Sequence, residues 1–536
     1  MPDSYIERIL KARVYEVAQE TPLTLAAGLS ARLGNQVFLK REDLQPVFSF
    51  KLRGAYNKLV GLSPEVRARG VIAASAGNHA QGVALGAARL GVAATVVMPR
   101  TTPGIKVRAV CALGGTAVLY GDSYDDAYAH AMQLVAELGL TFIHPFDDPA
   151  VIAGQGTIGM EILRQHPEPP QAIFVPVGGG GIIAGIAAYV KWLAPQVRII
   201  GVEPEDAPTL HAALAAGRPV ELAQVGLFAD GVAVRRIGEE TFRVARARVD
   251  EVVLVSTDEI CAAIKDIYED TRGIAEPAGA LAVAGMKRYV ARTGCRGAHL
   301  VAIESGANMN FDRLRHVAER ADLGERREAL LAVAIPERPG SFLAFCRALG
   351  ERQLTEFNYR FADPDQAQVF VGVELGRGDA ERTQLIEQLR AQGLEVLDMT
   401  DNETAKLHIR YMVGGHAPGI TDREEGETLV RFEFPERPGA LLDLLTGLGK
   451  RWNITLFHYR NHGAAYGRVL MGVAVAPGQR AEFLRSLDTL GYPHWEETDN
   501  PAYRLFAGKP AGWHSDAVVP SPNARHCTRP PFSKTS

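Results

Sequence analysis

The sequence predicts an α/β protein: a mostly parallel sheet covered by helices on both faces, followed by a duplicated small α+β domain. Two observations carry that prediction. Between about residues 35 and 305, short apolar β-rich runs alternate with Ala- and Leu-rich stretches long enough for helices. Beyond residue 328 the chain repeats itself: LAVAIPERPGSFLAFCRALGERQLTEFNYR (Leu331–Arg360) matches VRFEFPERPGALLDLLTGLGKRWNITLFHYR (Val430–Arg460), and a TDN triplet follows each copy.

In chain order, the predicted strands are QVFLK, GVIAAS, ATVVMP, AVLYG, AIFVPV, RIIGVEP and AHLVAIES. Runs apolar on both faces, separated by helices such as AQGVALGAARLG and IIAGIAAYVKWLA, imply parallel pairing under two helical layers. In such sheets ligands gather beyond the carboxyl ends of the strands. The charged stretch ERADLGERRE, residues 319–328, breaks the alternation and reads as a helical linker. The repeat offset of about 100 residues is too long for a solenoid. Each copy reads strand, PERPG turn, helix, strand, strand, helix, strand, a split βαβ pattern. The copies span 329–412 and 427–508, and the Pro- and Ser-rich tail, 509–536, is expected to be disordered.

Composition narrows the class. With 536 residues, 47% hydrophobic and 22% charged, the chain is neither disordered overall nor a membrane protein by type. A net charge of −4 without a basic block argues against nucleic acid or anionic lipid as the main partner. The first residues carry acids and no apolar core of a signal peptide, and no apolar run reaches the ~18 residues of a membrane span. Cys111, Cys261, Cys295, Cys346 and Cys527 show no CxxC spacing, which suits reduced thiols in a cytoplasm rather than disulfides or zinc. A cytoplasmic location is expected, and no metal site.

Three loops and a lysine carry chemistry. Lys51, in FSFKLRGAYNKL, sits among Phe48, Phe50 and Leu52; such a lysine either snorkels from a helix or is held in a pocket for its reactivity. GGGGI, Gly178 to Ile182, joins a strand to a helix, so unobstructed N–H groups and the helix terminus suit a phosphate. SAGNHAQG, Ser75 to Gly82, has the same placement and suits a carboxylate, although Asn78 is equally a capping residue and His79 equally a satisfied loop histidine by type. Ser305 ends the strand AHLVAIES and is either a helix cap or a ligand donor. A pocket lysine, a phosphate cradle and a carboxylate loop together suggest pyridoxal 5′-phosphate, bound to lysine as a Schiff base, acting on an amino acid.

FSFKLRGA, SAGNHAQG, GGGGI and SGANMNFDRLR, in this order and spacing, resemble the signature blocks of the threonine deaminase (threonine dehydratase) family of fold-type II pyridoxal-phosphate enzymes. The resemblance covers residues 5 to 505 and implies a tryptophan synthase β-like catalytic domain, 1–318, of two mostly parallel sheets, with two ACT-like regulatory domains behind it. It implies that Lys51 holds the cofactor and that Asn78 lies beside its phenolic oxygen. It assigns Ser75, Ala76, Gly77, Asn78 and His79 to the substrate carboxylate, and Gly178, Gly179, Gly180, Gly181 and Ile182 to the phosphate. Ser305 takes the pyridine nitrogen; a serine there leaves that nitrogen largely unprotonated, which favours β-elimination over aminotransferase chemistry.

The activity so implied is β-elimination of L-threonine to 2-oxobutanoate and ammonia, with Lys51 as the base at Cα and L-serine as a secondary substrate one methyl group smaller. In the family this step opens isoleucine biosynthesis, with inhibition by isoleucine, relief by valine, and a homotetramer. Racemases of the family carry a second serine where this chain has Ala76, which disfavours racemisation. Relatives that bind a divalent cation place an aspartate six residues after a glutamate; here Glu203 is followed at that distance by Thr209.

Overall fold

All seven apolar runs read as strands are strands in the computed structural model, which describes residues 4–407, 409–411, 426–435, 440–449, 451–460 and 466–500. They fall into two sheets. The larger has six strands in the order Leu23–Leu25, Gln36–Arg41, His299–Glu304, Ala172–Pro176, Arg198–Pro204 and Glu251–Val255, parallel throughout except for the first pair. The smaller is fully parallel, in the order Thr116–Leu119, Ala94–Met98, Val71–Ala74 and Thr141–Phe142. Ile173, Phe174, Val175, Ile199, Ile200 and Val301 have no exposure at all, as expected for central strands covered on both faces.

Two features of helix packing position the site. The helix Gly181–Leu193 is buried from Gly181 through Val190, which explains why its sequence is apolar all round rather than along one stripe. The helix Lys51–Val60 is wedged between Asn78–Leu90 and Pro149–Gln165 through close backbone approaches. A methyl at Gly82 would lie 3.0 Å from Leu52 Cα, and one at Gly154 would lie 2.7 Å from Arg53 O. The lysine-bearing helix is therefore fixed from both sides.

The chain divides into two compact units, residues 1–325 and 326–536. The expected linker is largely part of the first. Residues 319–324 complete the helix Arg313–Gly324, whose Arg320 pairs with Asp258 at 2.5 Å and whose Val317, Ala321 and Leu323 are buried. The next strand begins at Glu328. The charge that reads as solvated linker is thus partly an ion pair on a packed helix.

The second unit follows the split βαβ order twice. Its two copies merge into one eight-stranded antiparallel sheet, in the order Glu395–Asp398, Glu328–Pro336, Gln366–Glu374, Leu354–Arg360, Asn453–Arg460, Tyr466–Val475, Gly426–Pro435 and His494–Glu496. At the seam Phe357 faces Tyr459 and Tyr359 faces Phe457, and the Phe357 and Phe457 rings pack with centroids 5.3 Å apart. Residues 436–439 of the second PERPG turn and the tail 509–536, with Cys527, lie outside the described residues.

Candidate active site

Ser75 follows the strand Val71–Ala74, Gly178 follows Ala172–Pro176 by one residue, and Ser305 directly follows His299–Glu304. Each loop therefore sits at the carboxyl end of a parallel strand, where the topology concentrates ligand contacts. The segment before Lys51 is stitched to the Ser305 loop. Phe50 N donates to Ser305 O at 3.2 Å, Ala307 N donates to Phe48 O at 2.9 Å, and Ser49 bridges Gly306. Phe48 holds φ +54°, a left-handed conformation that is uncommon for a bulky residue and turns its ring outward. The lysine is consequently less enclosed than its flanks suggest: Phe50 and Leu52 are buried, whereas Phe48 is 55% exposed.

Lys51 Nζ donates to Pro145 O at 3.2 Å and lies 5.3 Å from the centre of the Phe50 ring. Burial lowers its pKa to about 8, against an opposing attraction from Glu276. A part-buried lysine whose amine turns to a backbone carbonyl fits the pocket reading better than the snorkelling one.

In the Ser75 loop, Gly77 N donates to Ser75 Oγ at 3.2 Å, and Gly77 precedes the helix Asn78–Leu90. A methyl built on Gly77 would meet no atom within 4 Å, so the loop encloses open space at a helix N-terminus. His79 does not face that space with its ring. It is buried, Nε2 lies 2.8 Å from Ile143 O, and burial together with Lys51 pushes its pKa down to about 3. The imidazole is neutral and satisfied, leaving its backbone as the part that belongs to the loop. Asn78 Nδ2 donates to Glu276 Oε1 at 2.6 Å and its Oδ1 accepts from Asn308 Nδ2 at 2.7 Å.

The glycine loop is shaped to offer N–H groups. Gly178 O accepts from Thr209 Oγ1 at 3.0 Å and Gly179 O from Thr241 Oγ1 at 2.7 Å, so both carbonyls are turned into the protein. Gly180 has φ +89°, and the first turn of the following helix has no carbonyls four residues earlier to bond. A methyl on Gly179 would overlap the Phe146 ring, and one on Gly178 would lie 2.9 Å from Val232 Cα. Ile182 is buried behind the loop. An anion with several oxygens fits such a cradle, and a phosphate beside a desolvated lysine amine fits pyridoxal phosphate.

Ser305 is buried, and its hydroxyl lies 3.3 Å from Ala278 O, a long bond from which the rotor can turn to a ligand. Glu203 is occupied otherwise. Its carboxyl accepts from Leu210 N at 2.7 Å and His211 N at 2.9 Å, at the start of the helix Thr209–Ala216, and lies 2.9 Å from Thr209 Oγ1, whose single hydrogen it shares with Gly178 O. Burial nevertheless raises its pKa to about 7.

The structure adds groups that the sequence alone does not single out. Phe146 lies against Gly179 and Pro145 supplies the carbonyl for Lys51, both from HPFDD after the two-residue strand Thr141–Phe142. Asp147 caps the helix Glu239–Arg246 by accepting from the N–H groups of Glu239, Glu240 and Thr241 at 3.0, 2.9 and 3.1 Å. That helix carries the Thr241 that orients Gly179. Glu276 and Asn308 flank Asn78. Of these, Asn308 had a signal, because it stands in the SGAN block.

Residues 14–306 match the pyridoxal-phosphate dependent enzyme family, and residues 319–409 and 421–507 match the C-terminal regulatory domain of threonine dehydratase. The chain is 58% identical over 505 residues to the L-threonine dehydratase biosynthetic IlvA of Burkholderia multivorans, covering 94% of this chain and 99% of that one. It is 54% identical over 502 residues to the corresponding protein of Escherichia coli K12, covering 94% and 96%. Among solved structures, the processed form of threonine deaminase isoform 2 from Solanum lycopersicum is 53% identical with a TM-score of 0.58, over 59% of this chain and 92% of that one. A maize serine racemase aligns over 59% of this chain and 97% of its own, with a TM-score of 0.55 at 32% identity. With a fold-type II catalytic unit ahead of a duplicated regulatory unit, the chain belongs to the biosynthetic threonine dehydratases of the pyridoxal-phosphate-dependent enzyme family.

Proposed function

We propose that the protein converts L-threonine to 2-oxobutanoate and ammonia, with L-serine as a weaker substrate, as the first committed step towards isoleucine. The observation that carries this reading is the desolvated Lys51 amine placed together with a glycine cradle and an open carboxylate loop. Bound pyridoxal phosphate supplies an electron sink for the Cα–H bond of the amino acid. The rest falls to the chain. Gly178 to Ile182 would hold its phosphate, Ser305 would bond its ring nitrogen, and Asn78 would bond its phenolic oxygen. The loop Ser75 to His79 takes the substrate carboxylate through backbone N–H groups and the Ser75 hydroxyl. Lys51 anchors the cofactor and, as a free amine with a lowered pKa, takes the Cα proton. Loss of the β-hydroxyl as water, followed by tautomerisation and hydrolysis, gives the oxo acid and ammonia with no external oxidant.

The two copies, 329–412 and 427–508, act as ACT-like sensors of isoleucine, an inhibitor, and valine, which opposes it. Supporting this is an apolar hollow between the copies, lined by Arg338, Phe342 and Leu343 from the first and by Leu445, Leu448 and Trp452 from the second. It suits a branched aliphatic side chain. A homotetramer and a cytoplasmic setting complete the reading; among the described residues no helix is long and apolar enough to cross a membrane.

The test is reduction of the purified protein with borohydride, peptide mass analysis, and assay of 2-oxobutanoate with and without isoleucine. A phosphopyridoxyl group on Lys51 and turnover that isoleucine lowers are expected. A protein that binds isoleucine but carries no cofactor and makes no oxo acid is instead a sensor.

A further inference from the structure

The SGAN block ends in Asn308, whose Nδ2 donates to Val47 O at 2.7 Å and to Asn78 Oδ1 at 2.7 Å. Both hydrogens of that amide are committed, so Asn308 presents a donor to Asn78. On the other side, Glu276 Oε1 accepts from Asn78 Nδ2 at 2.6 Å. An amide between a donor and a carboxylate has one satisfied orientation. Turned over, it would set NH₂ against NH₂ and oxygen against oxygen.

Glu276 is itself held in place. Its N–H donates to Gly306 O at 3.0 Å, and it precedes Pro277 at the start of a helix. A methyl on Gly306 would lie 2.9 Å from Glu276 Oε1, so only glycine leaves the carboxyl room. Asn78 Nδ2 has two hydrogens, of which Glu276 takes one.

We propose that Glu276 and Asn308 are positioning residues that lock the Asn78 amide with its remaining N–H presented to the phenolic oxygen of the bound cofactor. This rests on the reading that Asn78 lies beside that oxygen. It gives the SGAN block a second role besides Ser305.

The experiment uses full-length protein freed of cofactor and two probes lacking the aldehyde: 4-deoxypyridoxine 5′-phosphate, which keeps the 3-hydroxyl, and its 3-deoxy counterpart. Neither can link to Lys51, so equilibrium binding reads the contacts directly. Asn308→Ala is expected to weaken the hydroxylated probe about tenfold and leave the 3-deoxy probe unchanged. Asn308→Asp, although isosteric, is expected to lose more than Asn308→Ala, because an acceptor there turns Asn78 over. Glu276→Gln keeps an acceptor and is expected to stay within about twofold. Asn308→Ser retains a donor on a shorter arm and serves if Asn308→Asp does not fold; it is expected to lose part of the preference for the hydroxylated probe. Equal weakening of both probes, or an Asn308→Asp protein that binds like the parent, overturns the relay. Asn78→Ala separates the two readings. If it leaves the preference for the hydroxylated probe intact, the assignment of Asn78 fails; if it abolishes that preference while the Asn308 variants keep it, only the relay fails.

Discussion

Arg53 Nε and Nη2 each donate to an oxygen of Glu42 at 2.8 Å, and neither side chain reaches water. The same guanidinium donates through Nη1 to Glu161 at 2.6 Å, and Lys40 Nζ lies 2.6 Å from the other Glu161 oxygen. Burial by itself would raise the pKa of Glu42; the attraction and hydrogen bonds of Arg53 reverse this and hold it below the ordinary carboxylate range. Arg53 stands two residues after Lys51 on the same helix, so this network ties the lysine-bearing turn to the sheet.

Truncating Arg53 to Leu would leave buried carboxylates without their main cation. Breaking such a pair costs about 3–5 kcal/mol, and Arg53→Lys, which cannot serve both carboxylates with a planar fork, falls in between. Urea unfolding of the catalytic unit checks the order. The depressed Glu42 stabilises the fold fully above its unfolded pKa, and that contribution fades as pH falls through its lower folded value. Acid unfolding of the parent is therefore expected at lower pH than that of Glu42→Gln.

Two glycines in the site are expected to respond oppositely. A methyl on Gly179 overlaps Phe146, so Gly179→Ala must move the cradle, and we expect loss of cofactor binding by at least about a hundredfold. Gly77 has space for a methyl, although its backbone (φ −135°, ψ −138°) lies outside the usual α and β regions. Gly77→Ala is expected to leave cofactor binding in place while raising KM for threonine at least about tenfold, since the methyl occupies the carboxylate's place. Cofactor titration and steady-state kinetics on the two variants check both.

The sequence carries the backbone of this site well and its supports poorly. Strand-to-loop junctions at Ser75, Gly178 and Ser305 are legible because apolar runs end abruptly in Gly, Ser and Asn, and parallel topology makes those ends converge. The strand Glu251–Val255, EVVLV, is not among the candidates, although it is as long as Ala94–Met98 and forms the edge of the large sheet. Phe146, Asp147 and Thr241 are invisible beforehand because their roles depend on contacts across about 30 to 100 residues, such as the bond from Thr241 to Gly179. Residues 319–324 mislead for a different reason: Arg320 and Asp322 pair with Asp258 and Lys265 on the helix Thr257–Thr271, across about 60 residues of chain.

The lowered pKa of Lys51 has a direct kinetic reading. In cofactor-free protein, the fraction of reactive amine at Lys51 should rise through about pH 8, whereas exposed lysines rise near 10.4. The rate of labelling at Lys51 by an amine-reactive reagent, followed by peptide mass analysis, is expected to reach half its limit near pH 8. Because the unfolded chain binds the proton more tightly here, this lysine lowers stability below about pH 8, and stability recovers as pH rises towards the unfolded value. Half-maximal labelling at pH 10 would place Lys51 in water and remove its claim to act as a base.

In the regulatory unit Arg360, from the first copy, meets Glu427, from the second, through both terminal nitrogens, and each side chain is only 3% exposed. The seam strands Leu354–Arg360 and Asn453–Arg460 join the copies beside this pair. Removing the cation from such a pair costs about 3–5 kcal/mol, more than the roughly 1–3 kcal/mol of a typical allosteric coupling. An effector acts only through its differential affinity for two conformations of an intact sensor. If isoleucine inhibits as proposed, Arg360→Leu is expected to keep turnover without isoleucine within about twofold, to weaken that inhibition at least about tenfold, and to lower the melting transition of the regulatory unit. Initial rates across an isoleucine titration and calorimetry of the same samples check this. Unchanged inhibition at unchanged stability would mean that the two copies sense isoleucine without a rigid seam between them.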